Sequence, residues 1–355
     1  MRSTFINIAL LLGSIVVSLF MFEGALRVKA AFKPCHALGS IPNPLVWHLR
    51  PANQDLHLRC EEYDTIYRTN SSGFRGPEFP SMEKSDDTAR VVFLGDSFVE
   101  AIEVEEDERF PRLLDVDSVI LGYAGSSPVH ALAYYRHIGR QYSPDVVVHA
   151  FYAVNDIIEH NDDFSEDNGT IEVQPHPREN WRLKLGRKSM VIQLVYDRVY
   201  RPMRMMGQHT EAGVREATGP FYKFTKNGYK ELEEKGAWEY TRAVMTTLKE
   251  EVEADGAQLV VVMIPPYFLV QQDRKDEIHT LFSDFISEDE VDLTSTYERA
   301  AQELRAVGLQ VIDPLAALQS EYEKGERVYL PTDPHITAVG HRVIAGELLP
   351  VILDL

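Results

Sequence analysis

The chain has 355 residues, 44% of them hydrophobic, with two cysteines and a formal net charge of −19. That acid excess favours solubility and excludes nucleic acid as a partner, because phosphate binding needs clustered Lys and Arg. Length and hydrophobic content suffice for one large core, and no heptads, internal repeats or low-complexity tracts stand out.

Residues 5–22 form a single uncharged apolar run. It lies at the short end for a membrane span, yet it exceeds the apolar core of a cleaved signal peptide. Glu23 and Arg27 follow at i,i+4 spacing, so the helix is expected to continue to about Val28. The expectation is an N-terminal transmembrane helix, with residues 1–33 as anchor and flank and the membrane as its partner. The small-residue pattern Val28-Lys29-Ala30 keeps a cleaved leader and a secreted protein open. Arg27, Lys29 and Lys33 outweigh Arg2, which by charge bias alone puts the following domain in the cytoplasm. Cys35 and Cys60 could instead staple the next segment in an oxidising compartment, so an extracytoplasmic domain is expected. Residues 34–89 read as a lead-in segment. Asn70-Ser71-Ser72 and Asn168-Gly169-Thr170 fit glycosylation sequons, which chance explains.

From residue 90 the pattern alternates. Strands are expected at 90–94, 117–121, 145–151, 257–263 and 309–312, and helices at 129–142, 236–254, 271–283, 294–306 and 338–350. Buried, β-rich strands alternating with helices indicate an α/β domain over 90–355, a parallel sheet with helices on both faces. Residues 159–235 interrupt it as a helical insertion. Within that stretch Glu159-His160-Asn161-Asp162-Asp163 has metal-like letters but reads as a solvated turn. The stretch 178–204 is basic, and it reads first as a helix whose basic face meets the acidic remainder. A lid, or a surface for anionic lipid or glycan, is the sharper alternative. The acidic run from Glu100 to Glu108 reads as a solvated loop and helix face.

Three loops follow strand-like runs. The run Val91-Val92-Phe93-Leu94 ends in Gly95-Asp96-Ser97, before a helical pattern that would place the hydroxyl of Ser97 at the positive end of a helix. The second loop is Gly122-Tyr123-Ala124-Gly125-Ser126-Ser127-Pro128, and the third is Ala153-Val154-Asn155-Asp156. Near the C-terminus, Asp333-Pro334-His335 sets a carboxylate two residues from an imidazole. A serine nucleophile needs a base, a group that orients the base, and donors for the oxyanion. These four segments offer all three. Asp96 reads as a largely structural cap, and His341 as a solvent-facing or helix-capping residue.

Together, in this order, the four blocks resemble the SGNH/GDSL hydrolase family. The stretch Tyr67-Arg68-Thr69-Asn70-Ser71-Ser72-Gly73-Phe74-Arg75-Gly76 is similar to a lead-in of its membrane-anchored bacterial members. The resemblance implies a flavodoxin-like, doubly wound sheet of order 2-1-3-4-5. It implies Ser97 as nucleophile, His335 as general base and Asp333 as its orienting carboxylate. The Ser97 N–H, the Gly125 N–H and the Asn155 side chain would form the oxyanion hole. Such chemistry requires no cofactor and no metal. This sequence departs from the pattern in three places. Ala153 replaces a glycine, Asp333 and His335 are two apart rather than three, and Ile120-Leu121 stands where an asparagine often precedes the second block. The implied activity is cleavage of a carboxylic ester through an acyl-enzyme, with an ester or acylated cell-envelope glycan as substrate. An O-acetyltransferase, and a non-catalytic glycan- or partner-binding protein, are the alternatives on the same fold.

Overall fold

The computed structural model of the chain describes residues 2–31, 38–84, 88–158, 164–167, 170–173, 189, 191, 218–283 and 286–353. The chain divides into two compact units, Met1–His36 with Pro177–Ala217, and Ala37–His176 with Thr218–Leu355.

In the first unit, Arg2–Ala31 is one long helix, α1. Among the described residues no helix is long and apolar enough to cross a membrane, so the transmembrane span expected over residues 5–22 is not supported by the structure. Farther along, the Glu23 carboxylate accepts hydrogen bonds from Ser189 Oγ (3.1 Å) and Val191 N (2.9 Å). The basic stretch 178–204 and the cluster Glu159–Asp163 otherwise lie outside the described residues.

The second unit opens with two antiparallel hairpins, β1 (Ile41–Asn43) with β2 (Trp47–Leu49) and β3 (Asp55–Arg59) with β4 (Asp64–Arg68). The central elements follow in chain order: β5 (Arg90–Gly95), α2 (Ser97–Glu100), β6 (Asp117–Gly122), α3 (Pro128–His137) and β7 (Val146–Tyr152). A hairpin of β8 (Phe164–Asp167) and β9 (Thr170–Val173) stands within the expected insertion. After it come α4 (Lys226–Glu234), α5 (Ala237–Ala254), β10 (Gln258–Ile264), α6 (Tyr267–Val270) and α7 (Gln272–Ser283). The chain closes with α8 (Ser295–Ala306), β11 (Gln310–Ile312), α9 (Leu315–Glu323) and α10 (Ala338–Leu353).

Five strands form one parallel sheet in the order β11-β10-β7-β5-β6. Numbered along the chain, that is the doubly wound order 2-1-3-4-5. β5 and β7 are buried along their whole length, which explains their unbroken apolar sequence: helices cover both faces, so neither face needs polar residues. In this topology the loops after β5, β6 and β7 all leave the carboxyl edge of the sheet, the edge where open α/β sheets bind ligands.

The lead-in belongs to this unit: Val46, Trp47, Leu58, Tyr67 and Phe74 are buried with the core. Cys60 is disulfide-bonded, and Cys35 lies outside the described residues. The insertion is not purely helical, because β8 and β9 pair antiparallel within it. Asn-Gly is a strong hairpin signal there.

Candidate active site

Ser97 begins α2, directly after β5. The expected helix is a single turn, because Ala101 adopts φ 47° and ψ 59° and ends it in the left-handed region. A macrodipole needs several turns of aligned peptides, so what faces the serine is local N–H groups rather than a long helix. Asp96 caps the turn: its carboxylate accepts from Phe98 N at 2.9 Å and from Asn155 Nδ2 at 2.7 Å. Burial pushes the Asp96 carboxyl up from its ordinary range, against those two donors. Its role is therefore more than capping, since it fixes the side chain of Asn155. Asn155 itself is exposed at the mouth of the β7 loop. Asp156, buried beneath it, accepts from Tyr152 N at 2.7 Å and closes that turn.

Gly125 takes φ +82°, a conformation that disfavours any side chain, and its position is open, with nothing near where a Cβ would sit. The loop that carries it is pinned to the serine turn. At Gly122 a Cβ would lie 2.5 Å from the backbone nitrogen of Glu100, so only glycine permits this approach. Tyr123 N donates to Gly95 O at 3.2 Å, and Ala124 N to Glu100 Oε2 at 2.7 Å.

Asp333 and His335 stand in a loop closed by a bridge between Tyr329 and Ile336. One Asp333 carboxylate oxygen accepts from His335 Nδ1 and also from His335 N at 3.0 Å. Two other side chains hold the loop. Arg274 of α7 donates to Leu330 O (2.7 Å) and Thr332 O (3.0 Å), and Glu62 accepts from Thr332 N (2.8 Å) and Asp333 N (3.1 Å). The His335 ring lies 5.0 Å from that of Phe98, the residue after Ser97. The structure thus brings Asp333 onto His335, and His335 onto the serine turn. Among the described residues no hydrogen bond joins Ser97 to His335. Burial alone would push the His335 imidazole down, but Glu103 and then Asp333 outweigh it and raise it to about 9. The Asp333 carboxyl is held below its ordinary value: burial would raise it, and the hydrogen bond and charge of His335 prevail.

Residues 224–354 match the family model described as the SGNH hydrolase-like domain of the acetyltransferase AlgX. Over that stretch, about a third of its length, the chain is similar to an SGNH hydrolase-like domain. Asp333 and His335 fall inside the matched part of that domain, whereas Ser97, Gly125 and Asn155 precede it. Solved structures similar to the chain include a catalytic mutant of an acetylxylan esterase from Geobacillus stearothermophilus, with 12% identity, 77% of this chain and 96% of that chain covered, and a TM-score of 0.37. A lipase/acylhydrolase from Enterococcus faecalis shows 15% identity, 75% and 96% coverage, and a TM-score of 0.36. A lipolytic protein of the G-D-S-L family from Veillonella parvula shows 12% identity, 75% and 100% coverage, and a TM-score of 0.36. No curated protein matches the sequence.

Two expectations about the SGNH-like site are corrected. The acidic run is solvated only in its second half: Asp107 is exposed, but Glu100 is fully buried and Glu103 is 6% exposed. Glu100 accepts two hydrogen bonds from Arg50, both at 2.8 Å, and one from Tyr67 at 2.7 Å, tying the lead-in to the serine turn. His341 neither faces solvent nor caps α10. It is buried, stacks on Phe110, and its Nδ1 accepts from Phe110 N at 3.3 Å. Burial keeps it well below its ordinary pKa, hence neutral.

Proposed function

We propose that the chain is a serine esterase of SGNH type that cleaves a carboxylic ester through an acyl-enzyme. The observation that carries the reading is the Asp333–His335 pair beside the serine turn. Nδ1 is committed to the carboxylate, so the other ring nitrogen is the one free to act on a hydroxyl. In the proposed reaction the Ser97 hydroxyl attacks the ester carbonyl as His335 takes its proton. The tetrahedral oxyanion is held by the N–H groups of Ser97 and Gly125 and by the Asn155 amide. His335 then gives its proton to the leaving alcohol, and a water molecule activated by the same imidazole releases the acid. Asp96 and the family match at residues 224–354 support the reading, the first by orienting Asn155 and the second by pointing to acyl chemistry.

An acetylated glycan of the cell envelope is the substrate class we favour. The disulfide at Cys60 supports a site outside the cytoplasm, where such bonds persist, and the uncharged run at residues 5–22 supports an export leader. A second reading, glycan O-acetyl transfer, is favoured by the matched family model, whose description is an acetyltransferase. The two diverge only after the acyl-enzyme, when either water or a sugar hydroxyl attacks it.

The test is acetate release from p-nitrophenyl acetate and from acetylated xylan, with and without an unacetylated glycan acceptor. Turnover by the wild type that vanishes in Ser97→Ala and His335→Ala supports the esterase. Acetylated acceptor exceeding free acetate favours transfer. Folded wild type without turnover and without transfer contradicts both, leaving the non-catalytic binding protein.

A further inference from the structure

Glu103 lies six residues beyond Ser97, and nothing in the reaction just outlined assigns it a role. Its side chain is 3% exposed, and its Oε1 stands 3.1 Å from Nδ1 of His335, the same nitrogen that Asp333 engages. One carboxylate oxygen each of Glu103 and Asp333 and one ring nitrogen of His335 all lie within 4.8 Å of one another. Both carboxylates address one ring nitrogen, so a proton carried on Nδ1 lies within reach of both. The backbone is built to deliver this residue. Ala101 turns left-handed immediately after α2, a conformation that L-residues rarely adopt. Buried Arg75 then secures the turn, donating to the carbonyls of Glu100 (3.2 Å), Ala101 and Val104 (2.6 Å).

We propose that Glu103 is a second carboxylate on Nδ1 of His335, a positioning residue that shares the imidazole N–H with Asp333 and favours the imidazolium. The inference rests on His335 being the base of the proposed esterase, but its central test requires no turnover. Two carboxylates so close cannot both be charged at low cost, so the pair holds a proton more readily than either alone. Burial pushes Glu103, the drier of the two, up to about 7. Other groups also face the cluster. Asp96 and Glu100 flank it from the serine turn, and Arg75 and His341 act on it from behind. From the loop side come Glu62 and Tyr63 of the β3–β4 turn and Arg274 of α7. These stay in place when Glu103 alone is changed, so the change isolates its contribution.

The experiment follows the ring of His335 by nitrogen-15 NMR in the full chain, its signal assigned by loss in His335→Ala. Wild type, Glu103→Gln and Glu103→Asp are titrated, and the pH profile of kcat/KM is recorded beside them. The midpoint of His335 is expected to fall by about one pH unit or more in Glu103→Gln, the usual effect of removing a carboxylate at this range, and to be largely restored in Glu103→Asp. The acid limb of kcat/KM moves with it. A midpoint unchanged in folded Glu103→Gln overturns the proposal, as does an activity loss equal at every pH with the limb in place. A shifted midpoint in a protein without turnover would uphold the Glu103 contact while contradicting the esterase.

Discussion

His335 and Asn155 make the most direct demands at the level of single residues. A general base works only when neutral, and the carboxylates around His335 favour its charged form up to about pH 9. The sign is therefore fixed: activity rises with pH as the imidazole loses its proton. We expect kcat/KM to fall about tenfold per pH unit below about 9. A flat profile from pH 7 upward would contradict the contact with the carboxylates. Asn155→Ala removes the donor proposed for the oxyanion and leaves buried Asp96 short of a partner, so kcat should drop by roughly 10²–10³ while the fold persists. Stopped assays with circular dichroism check both parts. The contact between Asp333 and His335 was legible in the sequence, from a carboxylate set two residues from an imidazole. Glu103 was illegible, because an acidic stretch looks solvated unless one knows that Arg50 pairs with Glu100 and that Arg75 and Arg109 pair with Glu106 on either side of it. The fate of His341 was hidden for a similar reason: its partners Phe110 and Arg109 are distant in the chain.

Among the elements, the serine turn and the lead-in depend on each other. The buried Arg50–Glu100 pair joins the strand pair β1–β2 to α2, and Tyr67 of β4 closes the same carboxylate. Glu100→Ala strands the Arg50 guanidinium without its partner, and such losses typically cost about 3–5 kcal/mol. Urea denaturation should show that loss, along with loosening of the β6 loop whose Ala124 N–H also binds Glu100. A midpoint within error of wild type would mean the pair is dispensable. Strands and long helices of the sheet were legible to within a few residues from their apolar patterns, β7 being Val146–Tyr152 against an expected 145–151. Short elements were not. The four residues of α2 and the three-residue β1 and β2 owe their form to tertiary bonds, and local sequence carries too little pattern to signal them. Asn168-Gly169 did carry a hairpin signal, though the same letters also fit a sequon.

For the whole molecule, the doubly wound order explains why segments far apart in the chain meet at one sheet edge. The central strand also carries an acid sensitivity. His149, 1% exposed in β7, is pushed down to about 4 by burial, whereas an unfolded histidine titrates near 6.5. Above pH 6.5 neither state takes the proton; below it the unfolded chain does. Stability is therefore lost as pH falls from about 6.5 toward 4, by about 1.4 kcal/mol per pH unit for this group. As pH drops from about 6.5, wild type should lose stability relative to His149→Leu, whichever is the more stable at pH 7, with His341 adding the same slope to both. Parallel curves would contradict the burial of a neutral ring. The central claim, however, is that this architecture activates Ser97. The measurement that tests it most directly is fluorophosphonate labelling of the full chain with the adduct mapped by mass spectrometry. One adduct on Ser97, absent in His335→Ala, is the result predicted here; folded protein that stays unlabelled, or an adduct on another serine, would contradict it.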